Sequence, residues 1–471
     1  MPPKFGTSGL RGLVTELTPS LVQRYVRAFI DACPQGSAVH VGYDLRPSSP
    51  TILGAVNHSI RAAGLTVINH GAVPTPALAL ASMSAGESAV MITGSHIPAD
   101  RNGLKFYVPD GEVSKQDETA ILAAFDADHA DITPFGVIEE ATYALTAYVA
   151  RYRDAFGADA LQGLHIGVYE HSSVARDVMG DIMRALGAQT VPLARSDIFI
   201  PVDTEAVDPA TRGLLAGWAR EHGLDAIIST DGDGDRPMLA DAAGTIIAGD
   251  LLAPVTASFL GADTLVTPVS SNTLIDQMQE FAAITRTRIG SPFVIAAMEH
   301  ALAHNTSLKI AGYEANGGFL LGFTAKGPTG PLAPLMTRDS LLPLIAPLAA
   351  AQAKRCSLTA LIATLPPRFT AADRIQEVPS EKSEAFISTL KNSAEARATF
   401  FQGVGAEHSI DLTDGLRITF DCGSVVHMRP SGNAPECRCY AEASTADAAL
   451  TLVETHLAKL RSALTKNYTA P

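Results

Sequence analysis

The stretch that decides the fold begins with Val39-His-Val-Gly-Tyr43, which has the apolar character and length of a buried strand. Ser48-Ser49-Pro50 follows and predicts a helix start, because serine caps helices and proline fits their first turn. The predicted helix has an apolar residue at every fourth position, and a glycine and a second strand follow it: Ile52, Val56 and Ile60, then Gly64, then Leu65–Ile68. This order predicts a crossover unit of a mixed or mainly parallel sheet.

Two later stretches copy this arrangement, each at roughly the distance of a whole domain from the one before. The second copy consists of Ile166–Tyr169, Ser172-Ser173, a helix with Val178, Ile182 and Leu186, and then Gly187. The third copy consists of Thr264–Val269, Ser270-Ser271 and a helix with Leu274, Met278 and Phe281. We therefore predict three successive α/β domains of similar topology.

The pattern changes after about residue 365, where Pro366-Pro367 indicates a linker. Short strands and a final helix follow it, namely Ile410–Leu412, Gly415–Phe420, Ser424–Met428 and Arg438–Glu442, then a helix with Ala449, Leu452, His456 and Leu460. They predict a smaller α+β domain. The predicted architecture is three mixed-sheet α/β domains over 1–145, 146–246 and 247–364 and the α+β domain over 365–471, around a central cleft.

Composition excludes several classes of protein. The 471 residues include 35 basic and 49 acidic side chains, and the net charge of −14 argues against nucleic acid or an anionic membrane as the main partner. With 46% hydrophobic and 18% charged residues, the chain is not a disordered protein. The longest apolar run, Leu341–Ala351, is shorter than the about 20 residues of a membrane span, and no secretory signal is visible. Together with five scattered cysteines, these features predict a soluble, cytoplasmic protein.

The most specific chemical signal is Asp231-Gly-Asp233-Gly-Asp235-Arg236, directly after the apolar strand Ala226–Ile228. Alternating carboxylates separated by glycines can converge on one hard cation such as Mg²⁺, Mn²⁺ or Ca²⁺. An EF-hand loop is the competing interpretation, but its sixth position would be Arg236 instead of glycine and its twelfth Ala242 instead of glutamate. The pattern favours a metal site with coordination positions left open for a phosphate, and a solvated acidic turn is the alternative.

A second signal is Thr93-Gly-Ser95-His96-Ile-Pro98, after the strand Ala89–Ile92. A serine at a strand end beside a histidine is a candidate nucleophile, although such a pair in a turn more often acts only as a cap. The sequence around it lacks the Gly-x-Ser-x-Gly elbow, so a hydrolase triad has no local support. The continuation adds Arg101 and Lys105, and cations this close suit a serine that carries phosphate.

Two weaker signals complete the set. Glu314-Ala-Asn316 follows the strand Leu308–Ala311, and side chains two apart in an extended loop can bind a pair of sugar hydroxyls, but a polar turn is equally compatible. Arg429-Pro-Ser431-Gly432-Asn433 offers a guanidinium, a hydroxyl, a glycine amide and an amide side chain, which together can bind a phosphate dianion. The sequence has no Walker A loop and no Gly-x-Gly-x-x-Gly after a strand, which argues against nucleotide hydrolysis and dinucleotide redox chemistry.

These four loops, in this order and at domain-sized spacing, resemble the α-D-phosphohexomutase family over essentially the whole chain. Lys4-Phe-Gly-Thr-Ser8-Gly-Leu-Arg11-Gly is similar to the N-terminal signature of the family. The serine loop is similar to Thr-Ala-Ser-His-Asn-Pro, and the three-aspartate loop matches the family's metal loop without change. The last two loops are similar to Glu-x-Ser and Arg-x-Ser-Gly-Thr-Glu-Pro. The residues at the variable positions of these motifs are most similar to those of the bacterial phosphomannomutase branch of the family.

The resemblance implies a four-domain, heart-shaped fold and reversible transfer of phosphate between positions 1 and 6 of a hexose, with mannose phosphate preferred and glucose phosphate as a second substrate. It implies a phosphorylated Ser95 whose phosphate is bridged by Mg²⁺ to Asp231, Asp233 and Asp235, and a hexose 1,6-bisphosphate intermediate that turns end for end. The other implied roles are charge neutralisation by Arg11, Lys105 and Arg236, a proton shuttle at Lys105 or His96, sugar binding by Glu314 and Asn316, and phosphate binding by Arg429, Ser431, Gly432 and Asn433.

Three of the departures from the family pattern affect the implied roles. Gly318 stands where many members carry a histidine proposed as general acid/base, so that role must fall elsewhere. Asn316 replaces a serine, and Asn433-Ala434 replaces Thr-Glu. A phosphoglucomutase or phosphoglucosamine mutase of the same family, a serine/metal phosphatase and a sugar-phosphate-binding homologue without turnover are the alternatives. The preferred epimer and the choice between monomer and dimer stay open.

Overall fold

The computed structural model describes residues 3–6, 9–127, 131–430 and 436–466. Within them the chain forms four sheet-containing units in the order of the sequence. No helix in these described ranges is both long and apolar enough to cross a lipid bilayer.

The first unit is an eight-stranded mixed sheet flanked by helices. Its elements are β1 (Lys4–Phe5), β2 (Leu10–Leu13), α1 (Pro19–Ala32), β3 (Ala38–Tyr43), α2 (Ser49–Ala62), β4 (Thr66–Ala72), α3 (Thr75–Ala85), β5 (Ser88–Ile92), β6 (Arg101–Val108), β7 (Gly111–Glu112), α4 (Lys115–Ala124) and β8 (Ile138–Glu140). Strands β4, β3 and β5 are parallel neighbours, and β6 lies antiparallel beside β5. The predicted helix is confirmed as α2, because Ile52, Val56 and Ile60 are all buried on one face.

The second and third units repeat this core. The second contains α5 (Tyr143–Phe156), β9 (His165–Tyr169), α6 (Arg176–Ala185), β10 (Gln189–Leu193), α7 (Pro209–His222), β11 (Ala226–Thr230), β12 (Pro237–Asp241) and β13 (Ile246–Ile247). The third contains α8 (Gly249–Leu260), β14 (Thr264–Pro268), a 3₁₀ helix (Thr273–Gln277), β15 (Ala283–Thr287), α9 (Ser291–His304), β16 (Ile310–Tyr313), β17 (Phe319–Leu321), β18 (Ala325–Lys326), β19 (Pro331–Leu332), β20 (Leu335–Asp339), α10 (Leu342–Lys354) and α11 (Leu358–Ile362). The strand orders of their sheets are β10-β9-β11-β12-β13 and β15-β14-β16-β17-β20. In each of the three units, the first parallel strand lies between the second and the third, and an antiparallel fourth strand pairs with the third.

One predicted helix is wrong. The third repeat has only the short 3₁₀ helix where a helix through Leu274, Met278 and Phe281 was expected, and Met278 already has extended backbone. Its first residue, Thr273, is held by the carboxylate of Glu442 in the fourth unit through both its N–H and its hydroxyl. A tertiary contact of this kind overrides the local periodicity on which the prediction depended. The strand before Glu314 also begins two residues later than expected, at Ile310.

The fourth unit is an antiparallel sheet packed against helices, as the α+β pattern predicted. Its elements are β21 (Phe369–Gln376), α12 (Ser380–Asn392), α13 (Ala394–Phe400), β22 (Glu407–Asp411), β23 (Leu416–Phe420), β24 (Val425–Pro430), β25 (Glu436–Ala443) and α14 (Ala446–Lys466). The strand order is β21-β25-β24-β23-β22. This unit has its own apolar core, which includes Leu416, Val426 and Leu460.

The second and third units share one hydrophobic core, which fixes how they pack against each other. This cluster runs from Ile166 and Ile228 in the second unit to Leu265 and Leu344 in the third. At the same boundary, Tyr148 and Tyr152 of α5 both donate hydrogen bonds to the buried carboxylate of Asp339 at the end of β20, the first at 2.7 Å. Because this boundary is buried, loops at the ends of the two sheets have a defined relative position.

Candidate active site

The chemistry-bearing loops of the three α/β units occupy the same place in each unit. Ser95 lies in the connection from β5 to β6, Asp231 in that from β11 to β12, and Glu314 in that from β16 to β17. Each is therefore the turn from the third parallel strand into the antiparallel fourth. Crevices at the carboxyl ends of parallel strands are where open α/β sheets bind their ligands.

The serine loop holds Ser95 in an unusual conformation. Its backbone has φ +53°, in the left-handed region, and its N–H donates to the hydroxyl of Thr93 at 2.7 Å. The side chain is 1% exposed, and its Oγ donates to Asp231 Oδ2 at 2.6 Å. His96 Nδ1 lies 3.4 Å from the same Oγ. A strained residue with its hydroxyl aimed at a carboxylate is a frequent feature of functional sites.

Sequence reasoning missed Arg46, which anchors the serine loop. The buried guanidinium donates to the carbonyl oxygens of Ser95 and Ile97 at 2.7 and 2.6 Å, and to those of Pro98 and Arg101 at 2.7 and 2.8 Å. These four bonds explain how so short a loop keeps a strained serine in place. The available signal was the charged Asp44-Leu-Arg46 directly after a buried strand.

The metal loop brings its three aspartates together. One carboxylate oxygen from each of Asp231, Asp233 and Asp235 lies within 4.8 Å of the others. The loop is closed by the backbone N–H groups of Asp235 and Arg236, which both donate to Asp231 Oδ1 at 3.2 Å. A Cβ at Gly232 would lie 2.9 Å from the carbonyl oxygen of Ser95, so glycine here lets the two loops approach closely.

The three carboxylates of the metal loop differ in the partners that balance their charge. Lys105 Nζ lies 2.5 Å from carboxylate oxygens of both Asp233 and Asp235. Burial acts to lower the pKa of Lys105, but these two carboxylates raise it above its ordinary value. Burial and the two neighbouring carboxylates raise the pKa of Asp231 well above its ordinary value. The Oδ1 atoms of Asp233 and Asp235 are buried without a hydrogen-bond partner among the described residues.

Arg11, His96 and Arg236 lie around the aspartates. Burial and the positive charge of Arg236 lower the pKa of Arg11 to about 10. Burial and the two arginines lower the pKa of His96 well below its ordinary value, so this imidazole is neutral at pH 7. Lys105 is therefore charged and His96 neutral at pH 7, and the choice between them as proton shuttle stays a prediction.

The sugar loop is a turn, which the sequence left open as the alternative to an extended segment. The N–H of Gly317 donates to the carbonyl of Glu314 at 2.8 Å, and Gly317 has φ +86°. Asn316 Oδ1 accepts from the N–H of Gly318 at 2.9 Å. Glu314 is paired with Arg338 of β20, a second residue that sequence reasoning missed. The only hint was a pair of charges, Arg338-Asp339, in front of the longest apolar run.

The predicted phosphate loop is only partly described. Arg429 lies near the end of β24, with its Nε 3.4 Å from Asp414 Oδ1. Ser431, Gly432 and Asn433 lie outside the described residues. Arg438 of β25 is directly opposite Arg429 in the strand register, and sequence reasoning did not select it. Cross-strand partners share one face of a sheet, so two arginines stand side by side next to this loop.

Comparison with known proteins assigns the family. Sequence models described as Phosphoglucomutase/phosphomannomutase, alpha/beta/alpha domains I, II and III and C-terminal domain, match residues 2–131, 146–244, 240–369 and 374–459. A phosphomannomutase of Sinorhizobium fredii is 44% identical, over 98% of this chain and all of that protein. The chain belongs to the phosphoglucomutase/phosphomannomutase family. The mutase is also 43% identical to a phosphomannomutase of Salmonella muenchen, over 98% of this chain and 96% of the relative.

Solved structures show the same four-domain fold. A phosphoglucomutase/phosphomannomutase family protein from Burkholderia thailandensis superposes with a TM-score of 0.77 at 21% identity, with 98% of each chain covered. A putative phosphomannomutase from Thermus thermophilus gives 0.76 at 21% identity, with 99% of each chain covered. The fold and the family predicted from the sequence are thus confirmed, and the chain is a sugar phosphate mutase. The roles of individual residues stay predictions.

Proposed function

We propose that this mutase interconverts hexose 6-phosphate and hexose 1-phosphate, with mannose phosphate preferred, through a phosphorylated Ser95 and a hexose 1,6-bisphosphate. The observation that carries the proposal is the 2.6 Å contact between Ser95 Oγ and Asp231 Oδ2, which joins the nucleophile of one domain to the metal loop of the next. The preference for mannose is supported by the two relatives at 43 and 44% identity, both named phosphomannomutase. A relative named probable phosphoglucosamine mutase, from Methanopyrus kandleri, is only 28% identical.

The donor set fits Mg²⁺. Asp231, Asp233 and Asp235 offer hard carboxylate oxygens. The two buried Oδ1 atoms noted above have no hydrogen-bond partner among the described residues, which is costly unless a cation binds there. A structure of an Aspergillus fumigatus N-acetylphosphoglucosamine mutase is described with GlcNAc-6P and magnesium, and it shares this fold with a TM-score of 0.57. Bound Mg²⁺ would neutralise charge on the phosphate that is being transferred. Asp231, Asp233, Asp235 and the phosphate of Ser95 would hold it.

The protein's own groups supply positioning and positive charge. Phosphoryl transfer spreads charge over the equatorial oxygens, so cations at fixed places contribute more than covalent chemistry does. Arg46 fixes the loop from which Ser95 reacts, and burial of Ser95 limits the access of water to its phosphate. Lys105, Arg11 and Arg236 surround the aspartates and would balance the charge of the substrate phosphate. The described sugar loop, with Glu314 and Asn316, would hold hydroxyls in both orientations of the intermediate.

Coupled assays on mannose 1-phosphate, glucose 1-phosphate and glucosamine 1-phosphate test the proposal, with inorganic phosphate measured in parallel. We expect isomerisation in the presence of Mg²⁺ and a trace of hexose 1,6-bisphosphate, with the largest kcat/KM for mannose 1-phosphate. Release of inorganic phosphate as the main product would instead identify a phosphatase. Binding of a sugar phosphate without either reaction would identify a binding protein.

Substitution of Arg429 by alanine tests the phosphate cradle. Loss of one hydrogen bond to a charged group, worth about 1.5–3 kcal/mol, should lower kcat/KM by about 10- to 150-fold in both directions. The weakened grip should also let the intermediate escape, so the variant should leak hexose 1,6-bisphosphate and depend more on added bisphosphate. Arg220→Ala, on the exposed side of α7, is the matched control. Normal turnover of Arg429→Ala without added bisphosphate and without leakage would show that this loop is not the cradle.

A further inference from the structure

Arg338 connects the metal loop to the sugar loop. Its side chain is 4% exposed, Nη2 lies 2.8 Å from Asp235 Oδ2, and Nη1 lies 3.1 Å from Glu314 Oε2. The first of these carboxylates belongs to the second domain and the second to the third. A guanidinium presents its donors in a rigid plane, so one arginine that binds two carboxylates fixes the distance between them.

Gly318 provides the room for this arginine. A Cβ at position 318 would lie 2.9 Å from both Cγ and Cδ of Arg338 and 3.1 Å from Asn316 Oδ1. Gly318 is not among the glycines with positive φ, so its backbone conformation does not require glycine. The stem of Arg338 therefore occupies the space of the missing side chain. A histidine, which the family resemblance leads one to expect here, cannot fit while Arg338 keeps this position.

The two carboxylates differ in how far they depend on Arg338. Asp235 is also paired with Lys105, at 2.5 Å. In the described part of the chain, Glu314 has Arg338 as its single ion-pair partner. A buried carboxylate with one cationic partner takes its position from that partner. Arg338 is thus placed to control Glu314 more than the metal loop.

We propose that Arg338 is a positioning residue that holds the Glu314 carboxylate where it binds the sugar, at a fixed distance from the metal loop, in the space left by Gly318. The inference rests on the proposed function, because it assigns Glu314 to the sugar of a hexose phosphate. Arg338 acts through Glu314 and through the turn at residues 314–318. Arg338 reaches the sugar loop from the neighbouring strand β20 and fills the space that a side chain at position 318 would occupy.

The first test is Arg338→Lys. Lysine keeps the charge, but its single ammonium cannot hold two carboxylates in the planar geometry of a guanidinium. We expect kcat/KM for mannose 1-phosphate to fall by about 10- to 100-fold, mostly as a rise in KM, because Glu314 contacts the sugar in the ground state and in the transition state alike. The melting temperature and the amount of phosphate on Ser95 should stay close to those of the wild type. Arg184→Lys, in an exposed ion pair with Asp181 on α6, is the control.

The second test approaches the same contact from the other side. Gly318→Ala should displace the stem of Arg338 by a few tenths of an ångström and raise KM in the same way, by about 3- to 30-fold. Gly217→Ala is the matched control, because a Cβ at this position in α7 meets nothing within 4 Å. Unchanged KM in both Arg338→Lys and Gly318→Ala would overturn the proposal. If one of the two variants folded poorly, unchanged KM in the other would overturn it.

A double-mutant cycle separates positioning from a general structural role. If Arg338 acts through Glu314, the double variant with both Glu314→Gln and Arg338→Lys should bind mannose 1-phosphate no more weakly than whichever single variant has the lower affinity. Losses that multiply would show two independent roles and would overturn the proposal.

The inference and the proposed function can fail separately. Wild-type turnover reports on the function, and calorimetric binding of mannose 1-phosphate reports on the sugar site without turnover. If the wild type binds but does not isomerise, weaker binding by Arg338→Lys still supports the positioning role, and equal binding contradicts it. A wild type that binds no hexose phosphate contradicts both.

Discussion

Replacement of Ser95 by alanine should lower kcat by about 10³-fold or more, because the variant has no oxygen that can accept phosphate. Ser95 is the buried hydroxyl that contacts the metal loop, and its own loop is held by Arg46 and not by the serine side chain. The fold and the binding of sugar phosphate should therefore survive. Intact-mass analysis should show a fraction of the wild type that is heavier by about 80 Da, and this fraction should be absent from Ser95→Ala.

Ser82→Ala is the matched control for this experiment. Ser82 is also fully buried, but its hydroxyl only donates to a carbonyl within α3. The control should keep both its turnover and the heavier fraction. Peptide mapping that places the phosphate on another residue, or an alanine variant with more than a few per cent of wild-type turnover, would contradict the assignment of Ser95.

Replacement of Asp233 by asparagine should have the second-largest effect, a loss of about 10³-fold in kcat together with much weaker binding of Mg²⁺. Asp233 accepts from Lys105 at 2.5 Å and from Thr75 at 2.7 Å, and its other oxygen is one of the two buried Oδ1 atoms without a described hydrogen-bond partner. Burial acts to raise the pKa of Asp233, but Lys105 and Thr75 hold it below its ordinary value, so the carboxylate is charged at neutral pH. Asparagine keeps the shape and the Thr75 contact and removes that charge.

Calorimetry with Mg²⁺ and steady-state assays over a range of Mg²⁺ concentrations measure this effect. Asp225→Asn is the control, because Asp225 is an exposed residue just before β11 whose carboxylate accepts from the N–H of His165. Excess chelator should also silence the wild type. Full activity in chelator, or unchanged affinity of Asp233→Asn for Mg²⁺, would refute the metal role of the three-aspartate loop.

Local spacing predicted the elements and the loops well where the structure depends on local interactions. Helix α2 follows from its every-fourth apolar residues, and the metal loop follows from glycines that let alternating aspartates converge. The prediction was wrong at the third repeat, where Thr273 is bound by Glu442, about 170 residues further along the chain. The sugar loop, by contrast, is a turn closed by its own local bonds, because the N–H of Gly317 donates to the carbonyl of Glu314 and the N–H of Gly318 donates to Asn316 Oδ1.

The sequence by itself determined which chemical groups this mutase carries and in which order: a serine loop, three aspartates, a sugar loop and an arginine loop. Only the tertiary structure decided which of them meet. Ser95 and Asp231 are in contact although 136 positions separate them. Arg46 binds the serine loop and Arg338 binds the sugar loop, although neither arginine belongs to the sequence motif of that loop. The physical reason is that such contacts depend on how separate elements pack within one unit, as for Arg46 and Ser95, and on how the units pack against one another, as for Ser95 and Asp231. Periodicity along a chain reports which face of an element is buried, and it carries no information about which distant side chain fills the space left by a glycine such as Gly318.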